Sequence, residues 1–289
     1  MKRIVTLLLA AGLVLGAAAG SQAADIKAKG NWTFSWQGGD NNLFKQNGDK
    51  FTAKQRLRTQ IDVIASESLK GVLFLEMGDQ NWGRADQGAS LGTDGMIIKV
   101  RYSYVDWVIP QTDAKVRMGL QNFSLPGFAL PNVILGGGGA DGAGITLSYQ
   151  FNDMAGMSLF WMRAENDNTT IDRGVGNAMD FVGLSVPLTG EGWQLNPWGM
   201  YGNLGKNSLN EVGENGESLI VGLLPYGQDG VSVVAKDSNN PAWWLGIGGE
   251  LTTFDPLRLA FDFAYGKADW GKAANGQDLT RQGWLLSGI

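Results

Sequence analysis

The sequence predicts an all-β fold, in the form of a transmembrane antiparallel up-and-down β-barrel, and three observations lead to this prediction. The chain begins with an export signal and contains no cysteine. Segments of about ten residues recur in which apolar and polar side chains alternate, which is the period of a β-strand. The connections between these segments are alternately long and short, as in membrane barrels.

Residues 1–23 have the pattern of a secretory signal peptide. Lys2 and Arg3 precede an apolar run, and Ala23 closes a cleavage site of small residues. The alternative is a membrane anchor, for which the apolar run is short. Residues 24–289 then form the exported barrel domain. Removing residues 1–23 takes away two of 23 basic residues and none of 28 acidic ones, which leaves a net charge of −7. An exported acidic chain is not expected to bind nucleic acid.

The composition weighs against catalysis. The chain has neither Cys nor His, so it lacks cysteine nucleophiles, histidine bases and the usual zinc ligands. We therefore predict no catalytic residue, no metal site and no cofactor. The 43 glycines and 11 tryptophans are typical of β-rich barrels.

Twelve strands are predicted from the alternation. They centre on residues 32–36, 57–63, 73–77, 98–103, 115–121, 145–151, 157–164, 182–186, 193–201, 243–251, 257–265 and 281–289. In the fourth strand, Val100 and Tyr102 are predicted on the apolar face. The long connections are predicted at residues 38–50, 79–94, 122–143, 165–177, 203–242 and 267–279. Alternation alone does not distinguish a face that packs on a soluble core from one that meets lipid.

The third long connection, residues 122–143, is the most unusual part of the chain. Its prolines remove backbone donors and its glycine run has no packing side chains, so it is not a regular strand. Its apolar content argues against disorder. We predict that this loop folds inward and constricts a lumen, with Asp141 as its one charge. The candidate constriction residues are Pro126, Phe128, Pro131, Gly136 and Asp141.

A family resemblance supports the same fold. Residues 25–36 (Asp-Ile-Lys-Ala-Lys-Gly-Asn-Trp-Thr-Phe-Ser-Trp), with residues 51–62, 100–107 and 117–121, resemble the homotrimeric outer-membrane porins of sulfate-reducing bacteria. The resemblance extends over residues 25–151. It implies a homotrimer of barrels in the Gram-negative outer membrane, each with a water-filled pore for small hydrophilic solutes. It also implies that the third long loop constricts the pore.

The end of the chain leads to a prediction about strand number. The twelve visible strands could close by themselves, because twelve is an even number. Porin trimers usually have sixteen strands, and outer-membrane barrels generally end on an aromatic residue, whereas this chain ends on Ile289. We therefore expect the chain to be a C-terminally truncated part of a sixteen-stranded barrel.

Charged side chains on the polar faces predict the selectivity of such a pore. The basic residues are Lys54, Arg56, Arg58, Lys99, Arg101, Lys115 and Arg117, and the acidic residues among them are Asp62 and Glu76. Confined charges select ions, so we predict a basic wall beside the loop and a weak preference for anions. Each residue alone is equally compatible with an ordinary position in the lumen or with snorkelling. The alternative function is an exported adhesin or carbohydrate-binding β-protein.

Overall fold

The computed structural model describes residues 24–40, 49–92, 98–130, 134–135, 140–166, 178–205, 239–254, 256–272 and 278–289. Within these residues there are thirteen strands, one 3₁₀ helix (Ala85–Gln87) and no α-helix. No helix in this part of the chain is long and apolar enough to cross a membrane. The strands are β1 (Asp25–Asp40), β2 (Asp49–Ile64), β3 (Leu69–Asn81), β4 (Lys99–Val108), β5 (Ala114–Phe123), β6 (Ala140–Asn152), β7 (Ala155–Glu165), β8 (Met179–Ser185), β9 (Leu188–Gly190), β10 (Trp193–Leu204), β11 (Asn240–Phe254), β12 (Leu257–Lys272) and β13 (Asp278–Gly288).

The twelve predicted strands are confirmed, and the additional strand is β9, which has three residues. The chain divides into two compact units, Met1–Trp107 and Val108–Ile289. In the first unit, β1 to β4 pair in chain order, with every residue of β1 opposite one of β2. In the second unit, β5, β6, β7, β8, β10, β11, β12 and β13 follow one another in the same way. Both units are therefore up-and-down antiparallel sheets.

One face of each sheet is mainly apolar and includes large, exposed side chains. In the first unit Trp32 and Trp36 on β1 are 66% and 60% exposed. In the second unit the exposed residues on β12 include Leu257, Leu259 and Phe263. Alternate positions of a strand share a face, and so do cross-strand partners, so these residues mark a continuous apolar face in each unit. Such a face is not the core of a soluble protein, because its side chains are open to the surroundings.

The opposite face of the second unit is also apolar in its centre, where the sequence predicted a polar surface. Phe160, Phe181, Trp198 and Trp244 are buried there. Each of these rings lies over a glycine of the next long strand, so that a Cβ on Gly183, Gly202, Gly246 or Gly266 would lie 2.1–2.6 Å from a ring atom. Glycine thus makes room for a large ring on the neighbouring strand.

Two other predictions about the strands are wrong. The predicted long connection at residues 267–279 is instead strand over most of its length, because β12 continues to Lys272 and β13 begins at Asp278. In β4 the alternation changes at an irregularity in the pairing with β3. Tyr102 lies opposite Phe74, with their ring centroids 5.1 Å apart, whereas Val100 stays on the exposed face. A bulge of this kind reverses the faces of the residues beyond it.

Candidate functional site

The sheet of the first unit has an apolar face and, on its other side, a charged face. Glu76 lies at the centre of this charged face. Arg58 lies directly opposite Glu76 in the β2–β3 register and its Nε donates to a carboxylate oxygen of Glu76. Arg101 Nη1 donates to the same oxygen at 3.3 Å. One carboxylate therefore orients two guanidinium groups by charge-assisted hydrogen bonds.

A second carboxylate, that of Asp79, forms ion pairs with two more basic side chains of this face. Lys54 Nζ and Arg56 Nη1 lie 3.3 and 3.8 Å from the carboxylate of Asp79, which the sequence did not single out. Lys99 is opposite Glu76 in the β3–β4 register. The five basic residues predicted in this unit thus share one face. By the same register the described residues of this face also include Lys70, Lys27 and Lys29, and these eight basic residues outnumber its five acids, which are Asp25, Asp62, Glu76, Asp79 and Asp106.

The charged face extends to β1, which the sequence prediction missed. Lys27 and Lys29 lie opposite Asp62 and Gln60 in the β1–β2 register, and Gln60 Nε2 donates to Asp62 at 2.6 Å. Cross-strand partners lie on the same face. Extending the alternation of Thr33 and Ser35 toward the start of the strand would have revealed both lysines.

Lys115 and Arg117 belong to the second unit. They lie opposite Ser148 and Thr146 in the β5–β6 register, and alternate along β5 with residues of the apolar face. That they extend the basic wall stays a prediction.

The loop between β5 and β6 lies against the ring-covered face of the second unit, which we call the loop-bearing face. Leu125 and Leu135 are 5% and 3% exposed and belong to the same cluster as Phe123 and Phe160. Pro126 is half-buried. Pro131 and Gly136 lie outside the described residues.

Asp141 is not on this loop, contrary to the prediction. The strands extend to Phe123 and from Ala140, so that Asp141 is part of β6. It accepts a hydrogen bond from Asn122 Nδ2 at 3.1 Å. The register places it on the apolar face, because Gly142 on the other face is covered by Phe123 and Met162.

The tip of the loop is bound by Asp262 of β12, a residue for which the sequence analysis predicts no role. The backbone amides of Phe128, Ala129 and Leu130 all donate to the carboxylate of Asp262, at 2.7–3.0 Å. Arg258 Nη2 donates to the carbonyl oxygen of Phe128 at 3.2 Å. The sequence signal was weak: Arg258 and Asp262 alternate with alanine and glycine at the even-numbered positions from 258 to 268.

Comparison with solved structures finds likenesses of low identity. The chain is similar to an anion-selective porin from Comamonas acidovorans, with 12% identity and a TM-score of 0.44, over 92% of this chain and 74% of that one. It is also similar to OmpT, an outer membrane protein of Vibrio cholerae, with 11% identity and a TM-score of 0.38, over 93% and 83% of the two chains. A third likeness is to the outer membrane channel DcaP of Acinetobacter baumannii, with 12% identity and a TM-score of 0.30, over 93% and 98%. No protein-family model and no curated protein matches the chain.

Proposed function

We propose that this protein is a porin of the Gram-negative outer membrane, a water-filled channel for the passive diffusion of small hydrophilic solutes. The observation that carries the proposal is the exposed apolar face of both units. Large side chains such as Trp32, Phe34 and Leu257 are 48–66% exposed there. In water so extensive an apolar surface is unfavourable, but in a bilayer it meets lipid.

The length of the apolar stripe supports a membrane span. On β1 it runs from Ile26 to Trp36, which is about 33 Å along an extended strand. A strand tilted by about 40° would therefore cross about 25 Å of membrane, the height of the apolar band of outer-membrane barrels. Open strand edges are not stable in lipid, so we propose that the strands close into a barrel.

The faces that do not meet lipid would line the channel. The charged face supplies more basic than acidic groups, which supports a weak preference for anions. The loop that lies on the loop-bearing face would narrow the channel as a constriction. The resemblance of residues 25–151 to homotrimeric porins supports assembly as a homotrimer.

Reconstitution into planar bilayers tests this proposal. We expect stepwise conductance increments and, under a gradient of KCl, a reversal potential whose sign shows a modest preference for chloride. A clear preference for potassium would overturn the anion selectivity. An absence of conductance, together with solubility without detergent, would overturn the channel itself.

The exposed tryptophans favour one alternative. Trp32 and Trp36 form part of an aromatic stripe that could stack on sugar rings, as in a carbohydrate-binding β-protein. Such a protein would be monomeric without detergent and would show Trp fluorescence changes with oligosaccharides. A porin would require detergent and would migrate differently on gels before and after heating.

A further inference from the structure

The hydrogen bonds between Asp262 and the loop between β5 and β6 have no assigned role in the function proposed above. The Asp262 side chain is on β12, more than 130 positions from the loop, and the residue is only 6% exposed. Its carboxylate accepts hydrogen bonds from three consecutive backbone amides, of which those of Ala129 and Leu130 are both 2.7 Å long. Three backbone amides that donate to one carboxylate form a specific anion-binding site, because each donor contributes a charge-assisted hydrogen bond.

The surroundings are built to fit this contact. A Cβ on Gly248, which lies opposite Asp262, would be 2.3 Å from Asp262 Oδ1 and 2.9 Å from the ring of Phe128. Arg258 binds the Phe128 carbonyl on the loop and also donates to Glu250 at 2.7 Å. The strands thus present an acceptor to the loop amides, a donor to a loop carbonyl, and a glycine beside the ring of Phe128.

The loop therefore has two different attachments. Its two stems are held by burial of Leu125 and Leu135 in the apolar cluster. Its tip, from Phe128 to Leu130, is half-buried or exposed and is held by polar contacts to Asp262 and Arg258. Removing one carboxylate should free the tip and leave the stems and the sheet in place.

We propose that Asp262 is the positioning residue of the channel: it fixes the tip of the loop and thereby sets the effective width of the constriction. This inference rests on the proposed porin function. Neutralising or truncating Asp262 would let the tip move, which would widen the channel and make its current less steady.

The absence of cysteine allows a direct test. A single Ala129→Cys substitution keeps the backbone amide and adds one thiol to the tip. We would measure its rate of modification by a charged methanethiosulfonate reagent alone and combined with Asp262→Ala or Asp262→Asn. The control is Asp180→Asn, which removes a carboxylate from the apolar face of the same unit, where Asp180 pairs with Arg163.

We expect Asp262→Ala to accelerate modification at least severalfold and to raise the single-channel conductance and its noise, with Asp262→Asn between it and the parent. Asp180→Asn should match the parent. Equal rates and equal conductance in the Asp262 and Asp180 variants would overturn the proposal. Gel migration before and after heating identifies the folded protein, and if Asp262→Ala does not fold, Asp262→Asn decides. If the parent does not conduct, the porin function fails, and the modification rates still show whether Asp262 holds the loop.

Discussion

The charged face of the first unit and the loop-bearing face of the second unit both lie on up-and-down antiparallel sheets. The first is made of charged, partly solvated side chains, and the second of buried apolar ones. On the charged face, the side chains of Lys54 and Arg58 are each 34% exposed and are held by carboxylates. On the loop-bearing face, Phe181 and Met162 are 2% and 3% exposed and belong to the same buried cluster as Leu125 and Leu135 of the loop. Partly solvated ion pairs contribute little to stability, whereas buried rings contribute much. We therefore expect substitutions to change selectivity on the first face and stability on the second.

The largest expected effect is the loss of a buried ring. Phe181→Ala removes a side chain that packs over Gly202 and lies 6.1 Å from the ring of Trp244. The cavity should lower the free energy of unfolding by about 3–5 kcal/mol. Urea unfolding in lipid vesicles, followed by Trp fluorescence, measures this change. The matched control is Phe254→Ala, since Phe254 is 60% exposed at a strand end. An equal decrease in the free energy of unfolding in the two variants would show that the loop-bearing face is not a packed core.

A smaller effect is expected from filling the space beneath a ring. Gly266 and Gly283 are cross-strand partners on β12 and β13. A Cβ on Gly266 would lie 2.1 Å from the ring of Trp244, whereas a Cβ on Gly283 meets nothing within 4 Å. Gly266→Val should therefore destabilise by about 1–3 kcal/mol through overpacking, while Gly283→Val should change little. The same unfolding experiment compares them, and similar behaviour of the two variants would contradict the packing argument.

On the charged face, the two partners of one ion pair should shift selectivity in opposite directions. Arg58→Gln removes a positive charge and should favour cations, and Glu76→Gln removes a negative charge and should favour anions. A unit charge about 4 Å from a permeating ion is worth about 1 kcal/mol in water, which is about fivefold in relative permeability. The reversal potential under a KCl gradient measures both shifts. Shifts in the same direction would mean that ion pairing, rather than net charge, determines the selectivity.

The sequence predicted the positions of the strands better than it predicted which side chains lie on each of their two faces. Alternation located all twelve long strands and put Arg56, Arg58 and Glu76 on one face, because period-two patterning is a local property. It put Trp243 and Leu245 on the apolar face of β11, and Leu245 is exposed there, but it did not predict that Trp244 gives the opposite face a buried ring. It also could not predict the reversal at Tyr102, which depends on how β4 pairs with β3.

The loop shows the same limit. Its unusual composition, and its place as the third long connection of the chain, identified the loop at residues 122–143 from the sequence. The contact with Asp262 joins residues more than 130 positions apart, and no local pattern encodes such a contact. Asp141 was assigned to the loop because its neighbours are glycines, but strand pairing continues through them.

The smallest predicted effect tests how far the charged face extends. Lys29 lies opposite Gln60, two positions along β1 from the partner of Arg58. Lys29→Gln should shift the reversal potential in the same direction as Arg58→Gln but by less, because Lys29 is exposed and salt screens its charge. Lys267→Gln is the control, since Lys267 lies opposite Trp243 on the apolar face of the second unit. If the two lysine variants give the same reversal potential, the charged face ends at β2. If only Lys29→Gln shifts it, and the shift shrinks as the KCl concentration is raised, β1 contributes to the selectivity through the charge of this lysine.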